Sequence, residues 1–390
     1  MIWLLACTRG EDTAVQDHLT AVELRAVTEQ ILAIGPRMSG TPEEEAALRL
    51  MESLFVDAGL SAVRAEPFDW ELWSRVGDSS LQVDGSSFPA MAWSPSPNGQ
   101  LAGELAVDEV EGKVALTRSG EMGRSEAFLS AWLGGAIGLV HISEDLDAED
   151  GSDLVEVGHT LDASTLPALA VSAATGEGLQ AGDTVTLDIG ASLRPHTSWN
   201  VLGMVEGSGE GGPVFVTAHY DSWDNSECAF DNGMGAAGLV LLARQLVAGP
   251  QPRRDVIFLA AAGEEQGVQG SQAWVRDNEA LARSGVLVLN LDVMWSAEGS
   301  YSINADASRH TELGMQVAEE EGLSPRDGGA PSPSSDHLAF QGRSVPAFWA
   351  TRQPDRHYHT THDRLEFLDL EQSAAALRVN WALLAAEAGL

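Results

Sequence analysis

Three segments rich in valine, leucine and alanine each run straight into side chains able to bind a cation. Residues 214–218 lead into Ala218-His219-Tyr220-Asp221, residues 256–262 into Gly263-Glu264-Glu265, and residues 286–291 into Asn290-Leu291-Asp292. Short continuous apolar runs of this kind read as strands buried on both faces of a parallel sheet. In open α/β sheets, ligands gather outside the carboxyl ends of the strands. A charge at one strand end is ordinary; His, Glu-Glu and Asp delivered by three successive strands to one sheet edge is a constellation. Two more segments add to it. Asp231 lies in Ala229-Phe230-Asp231-Asn232-Gly233-Met234-Gly235, a glycine-rich turn opening a helix, where the backbone can approach a ligand closely. Tyr358-His359-Thr360 follows the strand-like run 345–351. Imidazole and carboxylate are suitable zinc ligands, so the set points to metal-assisted chemistry.

The elements around these residues explain how they could be positioned. Helical patterns at 235–247 and 269–283 separate the three strands, which predicts a mostly parallel mixed sheet sandwiched by helices, an α/β fold. Residues 19–60 read as two helices. The second opens at Thr41-Pro42-Glu43-Glu44, a capping hydroxyl, a proline and two acids. It carries Ala46, Leu48, Leu50, Met51, Leu54 and Phe55 at helical spacing, and Gly59 stops it. A strand is expected over 62–68. From 78 to 194 the texture changes to short strands and many glycines, including the runs 113–116, 138–142 and 166–171, with an acidic, solvated loop at 144–156. None of the five candidate ligands falls in that stretch. The chain therefore divides into an N-terminal segment 1–18, a main domain formed by 19–77 and 195–390, and a small β-rich insertion at 78–194.

The series His-x-Asp, Asp-Asn-Gly-x-Gly, Gly-Glu-Glu-x-Gly, Asn-x-Asp, Ser-Asp-His and Tyr-His-Thr, in that order over about 198–370, resembles the M28 family of zinc aminopeptidases and carboxypeptidases. The opening Arg37-Met38-Ser39-Gly40-Thr41-Pro42 resembles that family's start, and 78–194 resembles the protease-associated domain often inserted in it. The resemblance implies two zinc ions per chain, one on His219 and Asp292, the other on Glu265 and His359, with Asp231 bridging. It implies that Asp221 hydrogen-bonds His219 and fixes its tautomer. Glu264, not a ligand, would be general base and then general acid, and Tyr358 would donate to the developing oxyanion. A shared carboxylate suits two ions about 3.5 Å apart with a water between them, and a glutamate bound to metal is a poor proton acceptor, so the adjacent Glu264 and Glu265 are expected to divide the work. Asp336 and His337 are expected to support the site without binding metal. Trp223 and Trp295, close behind ligand segments, suit a substrate pocket or core packing equally, and Cys228 reads as a small buried filler.

Composition bounds the function from another side. The 390 residues carry 58 acidic and 22 basic side chains, a formal charge of -36, with Lys113 the one lysine. So anionic a surface repels nucleic acid, which excludes a polyanion-binding role. Two cysteines, Cys7 and Cys228, are too few for a disulfide framework. Leu4-Leu5-Ala6-Cys7 resembles a bacterial lipobox, although only six residues precede the cysteine; on that reading Cys7 is lipidated, tethers the protein to a membrane and places it in the cell envelope or outside the cell. The expected activity is removal of N-terminal residues from peptides. A carboxypeptidase or dipeptidase on the same site, a single-zinc glutaminyl cyclase, and a non-catalytic binding module are the competing readings.

Overall fold

A computed structural model describes residues 17–144, 166–296, 298–353 and 355–390. Cys7 with its preceding Leu-Leu-Ala, most of the acidic stretch, and His159 lie outside the described residues. Two capped helices open the described chain. The hydroxyl of Thr20 accepts from the Glu23 amide to start α1 (Ala21–Leu32). Thr41 accepts from the Glu44 amide to start α2 (Pro42–Asp57), whose first turn holds Pro42 and three glutamates facing the positive end of the helix dipole. Its buried stripe is Ala47, Leu48, Met51, Leu54 and Phe55; Ala46 faces outward.

Strand β1 (Ser61–Arg75) continues well past the 62–68 run. From there the chain enters a closed barrel made of β2 (Ser79–Val83), β3 (Ser86–Ala92), β4 (Gly99–Ala106), β5 (Val114–Arg118), β6 (Gly138–Ile142), β7 (Ala168–Val171) and β8 (Thr184–Ile189). Helices α3 (Arg124–Leu133) and α4 (Ala173–Gly176) lie between its strands, and the strand order is β2-β3-β7-β6-β5-β4-β8. The chain leaves as β9 (Ala191–Val205), which pairs antiparallel with β1 from Arg75↔Ala191 to Ser61↔Met204. Gly190 sits at the crossing, where a Cβ would lie 2.2 Å from the Val76 carbonyl oxygen, so no larger residue fits there.

The remaining elements are β10 (Val214–His219), α5 (Met234–Ala248), β11 (Val256–Ala261), α6 (Gln269–Asp277), α7 (Glu279–Arg283), β12 (Leu287–Asn290), β13 (Ser300–Ala305), α8 (Ser308–Glu320), β14 (Arg326–Gly329), α9 (His337–Gln341), β15 (Ala347–Gln353) and α10 (Leu370–Ala388). The eight-stranded sheet has the order β1-β9-β11-β10-β12-β15-β13-β14. Its four central strands, β11-β10-β12-β15, run parallel and its flanks bring in antiparallel pairs, so the sheet is mixed as expected. One face packs on α1, α2, α5 and α10 and the other on α6, α7 and α9. The single helix read at 269–283 is broken at Asn278, whose side-chain amide donates to the Trp274 carbonyl at 3.0 Å, competing with the helix ladder. The barrel's core is continuous with Met38, Trp73, Trp223 and Cys228 of the main domain.

Candidate metal centre

Strand β10 has β11 on one side and β12 on the other, so their carboxyl ends open onto one edge. His219 is the last residue of β10. Glu264 and Glu265 follow β11, and Asp292 follows β12. Asp231 arrives differently, from the irregular turn Ala229–Gly233 that precedes α5. This turn is pinned on two sides. The Asn232 side chain donates to the Leu291 carbonyl at 2.8 Å, and both oxygens of Asp363 accept main-chain amides, from Phe230 at 2.7 Å and Asp231 at 3.0 Å. The Asp231–Asn232 peptide is cis. Gly235 lies under it: a Cβ there would sit 2.0 Å from Asn232 Oδ1 and 2.2 Å from the Leu291 oxygen.

The result is one carboxylate between two donor pairs. Asp231 Oδ1 lies 3.1 Å from His219 Nε2, with Asp292 Oδ1 3.3 Å from the same nitrogen. Asp231 Oδ2 lies 2.7 Å from His359 Nε2, with Glu265 Oε2 3.2 Å from that nitrogen. All five residues are buried. His219, Asp231 and Glu265 each offer a ligand atom within 4.8 Å of the others. The structure thus brings the five candidate ligands together. The donor set fits two zinc ions: two imidazoles and three carboxylates, one of them shared, and a second Glu265 oxygen that is buried without a protein hydrogen-bond partner.

Electrostatics point the same way. Burial opposes ionisation of Asp231, but hydrogen bonds from His219 and His359 override it and hold its carboxyl well below the usual range. Glu265 is pushed well up by burial and by the charge of Asp231, and Glu264 by burial, against His219 and with Asp292. Burial works against protonation of His219, yet Glu264 and the hydrogen bonds of Asp221, Asp231 and Asp292 raise it well above its ordinary value. Carboxylates packed this closely are relieved by protons or by a multivalent cation.

Asp221 faces His219 and also holds the turn that follows β11. His219 Nδ1 lies 3.2 Å from the main-chain oxygen of Asp221 and 3.6 Å from its carboxylate. The carboxylate also accepts the amides of Glu264 at 3.2 Å and Glu265 at 3.3 Å. Those amides are at a strand's exit with no ladder partner, and the carboxylate both satisfies them and fixes the Glu-Glu turn. Glu264 Oε2 stands 3.9 Å from His219 Nε2, at the edge of the cluster. Tyr358 stacks against His359 with ring centroids 4.0 Å apart; burial and the nearby Asp231 charge push its hydroxyl well up, so it remains a donor. Asp336, pushed up to about 7 by burial, is within electrostatic reach of His219 and Asp292 but enters neither donor pair. His337 bonds the Ser332 carbonyl. Trp223 is buried, in the barrel's core and edge-on to His359 at 6.3 Å.

Two further residues support the site without having been assigned to it from the sequence. Asp363, which holds the Asp231 turn, belongs to no motif. Arg37 is fully buried and donates to the carbonyls of Tyr220, Gly35, Glu227 and Cys228, tying both ends of the loop between His219 and Asp231.

The model of Peptidase family M28 matches residues 200–384, the span that holds all five candidate ligands. Aminopeptidase YwaD of Bacillus subtilis (strain 168) is 28% identical over 371 residues, covering 87% of this chain and 78% of that protein. "Probable lipoprotein aminopeptidase LpqL" of Mycobacterium tuberculosis is 27% identical over 291 residues, covering 72% of this chain and 55% of LpqL, and the chain spans 48% of a leucine aminopeptidase 2 of Aspergillus fumigatus. Among solved structures, BSAP, a zinc aminopeptidase from Bacillus subtilis, superposes with a TM-score of 0.73 at 24% identity, over 95% of this chain and 96% of that one. Residues 200–384 thus match peptidase family M28, and the chain as a whole is similar to an aminopeptidase in sequence and to a zinc aminopeptidase in fold.

Proposed function

We propose that the protein is a zinc-dependent exopeptidase that removes N-terminal residues from peptides. The observation that carries this is the Asp231 carboxylate, one oxygen on the His219–Asp292 pair and the other on the His359–Glu265 pair, with Glu264 beside them and outside both pairs. Zinc held by these five residues would supply a Lewis acid for the peptide carbonyl and lower the pKa of a bound water. The protein's own contribution is orientation and proton movement. Glu264, raised by burial, accepts the water's proton at its carboxylate and passes it to the leaving amine. Asp221 keeps Glu264 and Glu265 apart in role by clamping both main-chain amides, and the Tyr358 hydroxyl donates to the oxygen on which charge develops.

The names of YwaD, LpqL and BSAP support the choice of the amino end. A five-ligand set argues against a single-zinc glutaminyl cyclase, and an intact one against a ligand-free binding module. The barrel is read as a protease-associated domain, and Cys7 as a lipidated anchor in an exported protein, in keeping with the name of LpqL. Digestion of a peptide library, followed by mass spectrometry with and without chelator, tests the central claim. Progressive shortening from the amino end that chelator stops is expected, and a blocked amino terminus should prevent it. Shortening from the carboxyl end, or no cleavage by the zinc-loaded protein, refutes it.

A further inference from the structure

A second row of polar groups lies beneath the candidate metal centre. Successive residues of a strand face opposite sides of the sheet, so Thr217 shares a face with Phe215 and His219, and Asn290 shares one with Val288. Phe215 and Val288 pack with α6 and α9, which places this row on the same side. Thr217 and Asn290 are register partners on neighbouring parallel strands, two residues or about 6.6 Å below His219. Two segments close over them. Ser271 belongs to α6, and Ser335 and Asp336 lead into α9. The Asn290 amide group donates to Ser335 Oγ at 2.8 Å, tying the row to the α9 segment. The Ser271 hydroxyl comes close enough to the Asp336 carboxylate to favour its charged form, without closing to a full hydrogen bond.

Thr217, Ser271, Asn290 and Asp336 are all fully buried. Five of their oxygens, Thr217 Oγ1, Ser271 Oγ, Asn290 Oδ1 and both of Asp336, have no hydrogen-bond partner among the described residues. Orphaned buried oxygens are costly, and so many in one place call for an occupant. The charges that act most strongly on Asp336 are those of His219, Asp292 and Asp221, none of them a lysine or arginine. Two zinc ions in the layer above would be matched by Asp231, Glu264, Glu265 and Asp292, which leaves Asp336 uncompensated. Carboxylate, amide and hydroxyl oxygens are hard ligands that suit hard cations rather than zinc, and one negative charge among neutral donors matches a single positive charge. From this geometry we infer a structural site for a monovalent cation, sodium or potassium, held by Thr217, Ser271, Asn290 and Asp336 one layer below the candidate zinc ligands. The ion joins β10, β12, α6 and the start of α9, and so stiffens the base on which His219 stands.

The inference stands apart from the peptidase reading, since its test cleaves no peptide. Melting temperatures of the zinc-loaded full-length protein are compared in sodium chloride, potassium chloride and N-methylglucamine chloride at equal ionic strength, which separates a bound ion from general screening. The melting temperature should climb with the logarithm of sodium or potassium concentration, by about 2 °C for each tenfold, and not with N-methylglucamine. Asp336→Asn keeps the shape and removes the charge, and should abolish that specific rise. If it does not fold, Thr217→Val and Ser271→Ala each remove one ligand and should weaken the cation about tenfold. Crystals soaked in a thallium(I) salt locate the ion directly, with anomalous density expected against Asp336 and the three neutral oxygens. A melting temperature that follows ionic strength alone, or a specific rise that survives Asp336→Asn, overturns the inference. So does thallium that gathers elsewhere while these oxygens bond only water.

Discussion

Replacing Arg37 tests whether the loop from His219 to Asp231 is held from beneath. The side chain is fully buried, and its Nε–H and two Nη groups reach four main-chain carbonyls at 2.9 to 3.2 Å. Burial lowers its pKa, countered by Cys228, Asp363, Asp221 and Glu265. In Arg37→Met the volume is nearly kept and every donor is lost. Each hydrogen bond from a charged donor contributes about 1.5–3 kcal/mol and each orphaned carbonyl costs about 1–3 kcal/mol, while the variant no longer desolvates a guanidinium. The balance resembles removal of one partner of a buried pair, about 3–5 kcal/mol, a large share of a stability of roughly 5–15 kcal/mol. Urea unfolding of the zinc-free protein, followed by tryptophan fluorescence, measures it. Because the loop connects two candidate ligands, His219 and Asp231, zinc affinity should fall about 10–100-fold in a competitive titration. Arg37→Lys, a single point donor, should fall between. A loss below about 1 kcal/mol with zinc binding unchanged refutes the clamp.

Other variants probe the same site. Glu264→Gln should retain two zinc ions per chain by metal analysis while kcat falls roughly 10²–10⁴-fold; loss of metal would show that Glu264 and Glu265 do not divide their roles. Gly235→Ala drives a methyl into Asn232 and the Leu291 carbonyl, and should destabilise by about 1–3 kcal/mol and weaken zinc binding; a variant with wild-type melting temperature and metal content counts against the tight turn. Burial raises Asp363 to about 7, so its contribution to zinc-free stability is full below about pH 4 and is lost as pH rises to 7, with a slope of at most ~1.4 kcal/mol per pH unit. Asp363→Asn should lack that slope when urea midpoints are compared from pH 4.5 to 7; parallel profiles would refute the assignment. Chelation should lower the melting temperature in proportion to the logarithm of free zinc, and a temperature indifferent to zinc contradicts a site built for cations.

What could be read from the amino acids followed from burial. Strands β10, β11 and β12 are buried at every position, so they stand out as apolar runs, and their exits mark where His219, Glu264, Glu265 and Asp292 stand. Elements without such contrast were silent. Strand β14 is exposed throughout, the outer half of β1 has a polar side, and α10 is so rich in buried alanine and leucine that it has little amphipathic stripe. The parts of the site that spacing could not supply are those whose partners are main chain. Asp221 binds two amides, Asp363 two more and Arg37 four carbonyls, and backbone groups are the same in every sequence until the fold places them.

The ribbon of β1 and β9 has an evolutionary consequence. Arg75 and Ala191 are register partners, so the chain departs for the barrel and returns from it at neighbouring positions. A tight hairpin could close that gap with the eight-stranded sheet untouched, which makes this a natural splice point where modules can be gained, traded or lost over descent. The graft is not free of obligations, however. Trp73 and Trp223 are shared with the barrel's interior, Arg75 bonds a barrel carbonyl and pairs with Asp224, and Trp223 abuts His359. A lineage that discarded the module would have to resurface both indoles and rebuild one wall of its reaction chamber.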